Sequence, residues 1–263
     1  MNVITQEIKY HLKSTMIWTL SMGLFGFFIM LEFSAYYNNP ELLEILEVLP
    51  ESLMKAFGFN GANLTSLQGF LSVVYFYVQL IGALFAVMLG VTLLLKEHKH
   101  KTSEMIFSMP IKKGKVVLFK MMAGVVLIAL FALAVSGMLL LSSLSYDIDA
   151  TVINNVLINT GALFLFCTVW LSIGLLLVAM LPVKKHALAI GAVLVFAFYV
   201  FETMISLVDN MDMLSWVSLF GWFNPNDMVD NSFSWVFGVL ALVLVSLFTF
   251  ITVKQYQRKD IVS

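Results

Sequence analysis

Residues 70–95, FLSVVYFYVQLIGALFAVMLGVTLLL, run into residues 96–115, KEHKHKTSEMIFSMPIKKGK, and these into residues 116–144, VVLFKMMAGVVLIALFALAVSGMLLLSSL. Two long apolar runs thus flank one basic loop. A helix that crosses a bilayer needs roughly 20 predominantly apolar residues, and each run is longer than that. Neither alternates apolar and polar residues with the period of two that a barrel strand requires. The stretch therefore reads as two membrane-spanning helices joined by an inner loop.

The same pattern recurs on both sides of it, at 15–36, 156–181, 187–208 and 233–253. The fold class expected is all-α: a polytopic membrane protein with six transmembrane helices in a single domain over 1–263. Outer loops are expected at 37–69, 145–155 and 209–232. Across the chain 60% of residues are apolar and 12% charged, and the mean hydropathy is +0.95. A soluble chain of this length lacks the interior volume to hide so much apolar surface. Disorder, a nucleic-acid-binding domain and a disulfide scaffold are excluded on the same composition. Cys167 is the only cysteine, which rules out an internal disulfide and reads as a small buried apolar residue.

Charge gives the orientation. Lys9, Lys13, Lys96, Lys99, Lys101, Lys112, Lys113, Lys115, Lys120, Lys184, Lys185, Lys254, Arg258 and Lys259 fall on one side of the expected spans, and Lys55 alone on the other. Lysine and arginine beside span ends mark the cytoplasmic face, so both termini are expected to be cytoplasmic. The first apolar run has no small-residue cleavage site and is expected to be a retained anchor. Trp216, Trp222 and Trp235 gather near the outer interface and Trp18 near the inner one, as an aromatic belt would.

Several segments are expected to lie at the surface. Ile4, Ile8 and Leu12 recur every four residues, which suggests a short amphipathic N-terminal interfacial helix over 3–12. Glutamates 41, 44, 47 and 51 mark one face of an expected outer helix that Pro50 limits. Residues 211–223 are apolar but too short to cross, so a re-entrant or interfacial helix is expected there, with a turn at Asn224-Pro225-Asn226.

Within the inner loop, Thr102 or Ser103 is placed to cap a short helix carrying Glu104, Met105, Ile106 and Phe107, and Pro110 and Gly114 would end it. The result is an apolar patch in a basic frame, readable as a membrane-surface segment or as a docking site for a cytoplasmic protein. His98 and His100 lie beside Glu97, but a metal centre needs three or four converging ligands, so no metal is assigned. Gly114-Lys115 is followed by Val116 and lacks the upstream glycines of a phosphate-binding loop. No nucleotide-binding motif is present, and the chain is not expected to be an enzyme or to hold a cofactor.

The loop also resembles that of the six-span permease subunits of ABC-2 type (type-2) ABC exporters. The matching residues are Glu97 at the end of the second span, Lys101, Thr102 and Glu104, then Ser108, Pro110, Ile111, Lys112 and Lys113, and Lys120 inside the third span. Tyr256, Arg258, Lys259 and Asp260 match the family's tail past the sixth span; Lys101 stands where a small residue is usual. The resemblance implies a permease that pairs with a second copy or a paralogue and binds a cytoplasmic ABC ATPase subunit, which would hold ATP and Mg. It implies that Glu97, Lys101, Thr102, Glu104, Met105, Ile106, Phe107 and Pro110 couple the ATPase to the spans. An amphiphilic cargo such as a peptide, drug or lipid is expected, moved across a cell membrane, bacterial by composition.

Three polar residues inside the spans are candidates for a substrate path or gate: Glu32, Gln79 and Glu202. A carboxylate in lipid is costly, so each should face protein, water or headgroups; satisfied helix contacts are the competing explanation. A secondary transporter or an intramembrane enzyme remains as an alternative. Each would need features absent from the sequence pattern, namely paired discontinuous helices or a catalytic set within a span.

Overall fold

Six long helices follow from the six apolar runs, and their ends follow from local chemistry. The computed structural model describes residues 3–37, 39, 50, 53–54, 58–59, 62–99, 113–146, 148–181, 186–207, 214, 216–229 and 234–258, the side chains of 97–99 and 113 excepted. The long helices are α1 (Val3–Tyr36), α2 (Leu67–Lys99), α3 (Lys113–Ser143), α4 (Ala150–Met180), α5 (Ala187–Leu207) and α8 (Trp235–Arg258); two short ones, α6 (Leu219–Trp222) and α7 (Pro225–Val229), lie before α8. All six long helices are long and apolar enough to cross a membrane.

Asp149 starts α4, its carboxylate accepting the Val152 N–H at 2.9 Å. This satisfies one of the donors that a helix start leaves orphaned. At the other end Leu181 turns to extended backbone (φ −68, ψ 135), the conformation that the following Pro182 imposes on its predecessor. The α7 start uses proline the opposite way. Pro225 opens the helix, where its missing N–H costs nothing, and the Asn224 side chain accepts the Asn226 N–H at 3.1 Å.

Two expectations need revision. The segment 3–12 is not a separate element but the first turns of α1, with no break before the first span. At 34 residues this helix is about 51 Å long, some 20 Å more than the hydrocarbon layer. Asn224-Pro225-Asn226 is not a plain turn: it is the capped start of α7, because proline at the first helical position favours the helix that follows. The expected helix over 211–223 is described at 214 and 216–223, where only α6 and the isolated Leu214 are helical. Of the expected outer helix that carries the four glutamates (40–57), residues 50, 53 and 54 are described, and 53–54 are helical. The expected turn over 182–185 lies outside the described residues.

The two central helices are α2 and α4, each with 67% of its apolar window buried, against 17% for α5 and α8. They touch backbone to backbone. A Cβ on Gly90 would stand 2.3 Å from the Leu171 carbonyl oxygen, and one on Gly174 2.3 Å from that of Val87. Small residues at such a crossing let helices in lipid gain dispersion energy that bulkier ones would forfeit. Helix α1 packs chiefly on α3, and α8 on α4 and α3. An aromatic cluster of Phe33, Phe70 and Tyr146 joins α1, α2 and the end of α3, with ring centroids 4.8–4.9 Å apart.

Candidate functional site

The ends of the bundle differ in charge. At the end where α1 begins, α2 ends and α3 begins, the described cationic side chains are Lys9, Lys13, Lys96, Lys115, Lys120, Lys254 and Arg258, and the one described carboxylate is Glu7. That carboxylate is the centre of a buried cluster. Lys120, two turns into α3, is 1% exposed; its Nζ lies 3.0 Å from Glu7 Oε1 and also donates to the Leu93 carbonyl of α2. Lys96 of α2 approaches Glu7 Oε2 at 3.9 Å and lies over the Tyr10 ring at 3.6 Å. His11 packs beside them, its Nε2 3.7 Å from Glu7 Oε2.

An ammonium in an apolar helix is tolerated only with a counter-charge and hydrogen bonds for its remaining protons. Glu7 and the Leu93 carbonyl supply both. The consequence is mechanical: the last turns of α2 and the first turns of α3 are pinned to the same point of α1, on either side of residues 100–112. Gly114 adds a second fastening, since a Cβ there would stand 2.4 Å from Gln257 Nε2 of α8. Tyr256, in the tail of α8, is buried at this end too.

Of the expected coupling residues, Lys101, Thr102, Glu104, Met105, Ile106, Phe107 and Pro110 lie outside the described residues. Glu97 falls in the last turn of α2, its side chain outside them too. Lys96 enters the sequence reading only through orientation, and nothing in the sequence pattern marks Glu7 or His11 as part of a site. The signal for Glu7 was indirect: Lys120 interrupts an apolar run and requires an acid within reach.

At the opposite end the short helices α6 and α7 are tied onto the core. Gln79, 1% exposed, donates through Nε2 to the Phe223 carbonyl. Ser72 donates to Asn226 Oδ1 at 2.5 Å, and Asn226 Nδ2 donates to the Gly58 carbonyl at 3.2 Å. Gly58 has φ +76 and lies flat on Phe76, where a Cβ would approach the ring to 2.6 Å. Asn155 of α4 donates to the Met228 carbonyl at 3.2 Å. Phe220 and Phe223 pack on Phe166 with centroids 5.0 and 6.0 Å away.

Glu202 of α5 faces this plug. Its carboxylate lies so close to Gly221 that a Cβ there would be 2.8 Å from Oε2. It lines a cavity of about 40 Å³ together with Phe76, Tyr199, Ser206 and Asn224. That volume holds at most about three or four waters, since one water needs about 10–15 Å³. The three candidates for a path are therefore not brought together. Glu202 borders the cavity, Gln79 is buried beside Phe223, and Glu32 is exposed on the outside of α1.

Among the described residues no three His, Cys, Asp or Glu side chains converge as metal ligands. Trp222 stacks on Phe237 at 5.7 Å and donates to the Trp216 carbonyl at 2.9 Å, while Trp235 is 81% exposed, which sets the tryptophan-rich region at this end. Residues 1–254 match the sequence model of a protein family described as ABC-2 family transporter protein. No curated protein matches the chain.

Proposed function

The chain belongs to the ABC-2 transporter family, and from that premise we propose that it is the permease subunit of an exporter driven by a separate cytoplasmic ABC ATPase. Its role as a membrane permease follows from the family and from six helices able to cross a bilayer. The reading goes further in three respects: the direction of transport, an amphiphilic cargo, and a motor docked on residues 100–112.

The observation that carries the coupling is the Glu7–Lys120–Lys96 cluster. Residues 100–112 leave α2 and enter α3 at the two points that this cluster ties to α1. A push on the loop therefore reaches three helices at once. Helix α1 transmits it along an unbroken rod of 34 residues. The α2–α4 crossing at Gly90 and Gly174 resists deformation, so displacement goes into the less buried helices α1, α5 and α8. At the outer end the α6–α7 plug closes over a cavity far smaller than any amphiphile. In this reading Glu202 belongs to an outer gate, Gln79 holds the plug shut through Phe223, and Glu32 borders the path only where a second permease copy covers α1.

The test is co-purification. The tagged chain, extracted from its native membrane in mild detergent, is expected to bring down an ABC ATPase in stoichiometric amount together with a second permease copy. Glu104→Lys, or serines in place of Ile106 and Phe107, is expected to release the ATPase while the permease stays inserted. Retention of ATPase and transport in both variants overturns docking at the loop. Absence of any ATPase from the wild-type preparation overturns the exporter reading itself.

A further inference from the structure

We infer that the groove between α1, α2 and α5 at the cytoplasmic end binds an anionic phospholipid of the inner leaflet. The groove has a volume of about 500 Å³. Its α1 wall is one helical face, formed by Tyr10, Lys13, Ser14 and Ile17 at the spacing of adjacent turns; Thr92, Leu95 and Lys96 do the same on α2.

Polarity changes along the groove in the order of a phospholipid. Tyr10, His11, Lys13 and Lys96 lie toward the cytoplasmic end, with Ser14 beside Lys13 and Leu95 beside Lys96; Thr92 is one turn deeper than Lys96, and Ile17, Trp18 and Leu188 form the apolar end. From Tyr10 to Trp18 is about 12 Å along α1, enough to pass from headgroup depth into acyl chains. Trp18, against Phe85 at 5.9 Å, marks the boundary where indole rings settle.

Charge selects the headgroup. Among the described side chains Glu7 is the one carboxylate at this end, and Lys120 holds it at 3.0 Å, 0.9 Å closer than Lys96. Lys96 and Lys13 therefore bring more positive charge to the mouth than Glu7 offsets. Paired basic residues between helices on the cytoplasmic side favour an anionic headgroup, and the apolar floor favours the lipid over free phosphate. The surrounding hydrocarbon supplies such lipids, and this inference does not depend on the exporter reading.

The full chain, with any ATPase that accompanies it, is reconstituted into phosphatidylcholine nanodiscs containing one-fifth phosphatidylglycerol. It is then re-extracted, and the retained lipid is counted by native mass spectrometry. Wild type is expected to retain phosphatidylglycerol over phosphatidylcholine by about tenfold. Lys13→Gln with Lys96→Gln is expected to abolish the preference, and Ile17→Trp, which narrows the apolar end of the groove without altering charge, to weaken it. Lys254→Gln, an exposed lysine at the same end outside the groove, is expected to keep it. No preference in wild type overturns the site. So does loss in Lys254→Gln equal to that in the double variant, which would show a diffuse basic field; so does an unchanged preference in Ile17→Trp. ATPase retention, scored in the same preparations, reports separately on the exporter reading.

Discussion

Lys120 decides what the cytoplasmic end can tolerate. Replacing it with methionine leaves Glu7 buried with its nearest remaining ammonium 3.9 Å away. Breaking one side of a buried pair costs about 3–5 kcal/mol, whereas replacing both sides with apolar groups is often neutral. Lys120→Met is therefore expected to lower the melting temperature of the purified protein markedly, and Glu7→Leu with Lys120→Met to recover most of the loss. Equal melting of Lys120→Met and wild type would show that the pair carries nothing. Asp149 is a titratable group of another kind, exposed and outside the span. The Thr151 hydroxyl and then the Val152 N–H donate to its carboxylate and hold its pKa below the ordinary aspartate value. A depressed folded pKa means that the cap contributes above the unfolded pKa and is lost as pH falls through the folded one. Amide exchange at 150–153, corrected for intrinsic chemistry, is expected to accelerate below that point in wild type and to be flat with pH in Asp149→Asn. Sequence exposed half of the buried pair. Lys120 is conspicuous in an apolar run, but Glu7 is 113 residues away, on a segment whose periodicity resembles a surface helix. No local pattern links the two.

Helices were legible wherever hydrophobicity alone decides, and illegible where contact does. The six apolar runs predict the six long helices because lipid leaves the backbone no other way to satisfy its hydrogen bonds. Contact geometry has no such signature: a glycine at a crossing and a glycine facing lipid read alike. Gly90 and Gly137 are the test. A methyl at Gly90 would meet the Leu171 carbonyl at 2.3 Å, backbone that cannot step aside, whereas at Gly137 nothing lies within 4 Å. Gly90→Ala is expected to cost about 1–3 kcal/mol by forcing α2 and α4 apart. Gly137→Ala is expected to be neutral or to stabilise by up to about 1 kcal/mol through helix propensity. Thermal melting of the two variants side by side measures the difference, and equal shifts would mean that the crossing is not held by backbone contact. The plug of α6 and α7 was half legible for a related reason. Pro225 signals a break in the sequence, but only the Asn224 cap and the Phe166 shelf make that break a helix start.

At the scale of the whole molecule, orientation is the property that the proposed function most depends on, since a cytoplasmic ATPase could dock only on the face that the cytoplasm bathes. The structure gathers the described cationic side chains at the end where α1 begins, and by the positive-inside rule that end is expected to face the cytoplasm. The chain offers a direct measurement because Cys167, its one cysteine, is buried with 0% exposure and cannot compete for a labelling reagent. Leu144 is 64% exposed, just past the end of α3, and Lys115 is exposed near its start. Leu144→Cys leaves every charge in place, and Lys115→Cys removes one of fourteen on its side, too few to reverse the bias. A membrane-impermeant maleimide is expected to label Leu144→Cys in intact cells and Lys115→Cys only after permeabilisation, with wild type unlabelled throughout. The reverse pattern would place residues 100–112 outside and remove the loop from reach of any cytoplasmic ATPase. Labelling of both variants in intact cells would mean insertion in two directions, and the charge asymmetry would then not set the topology.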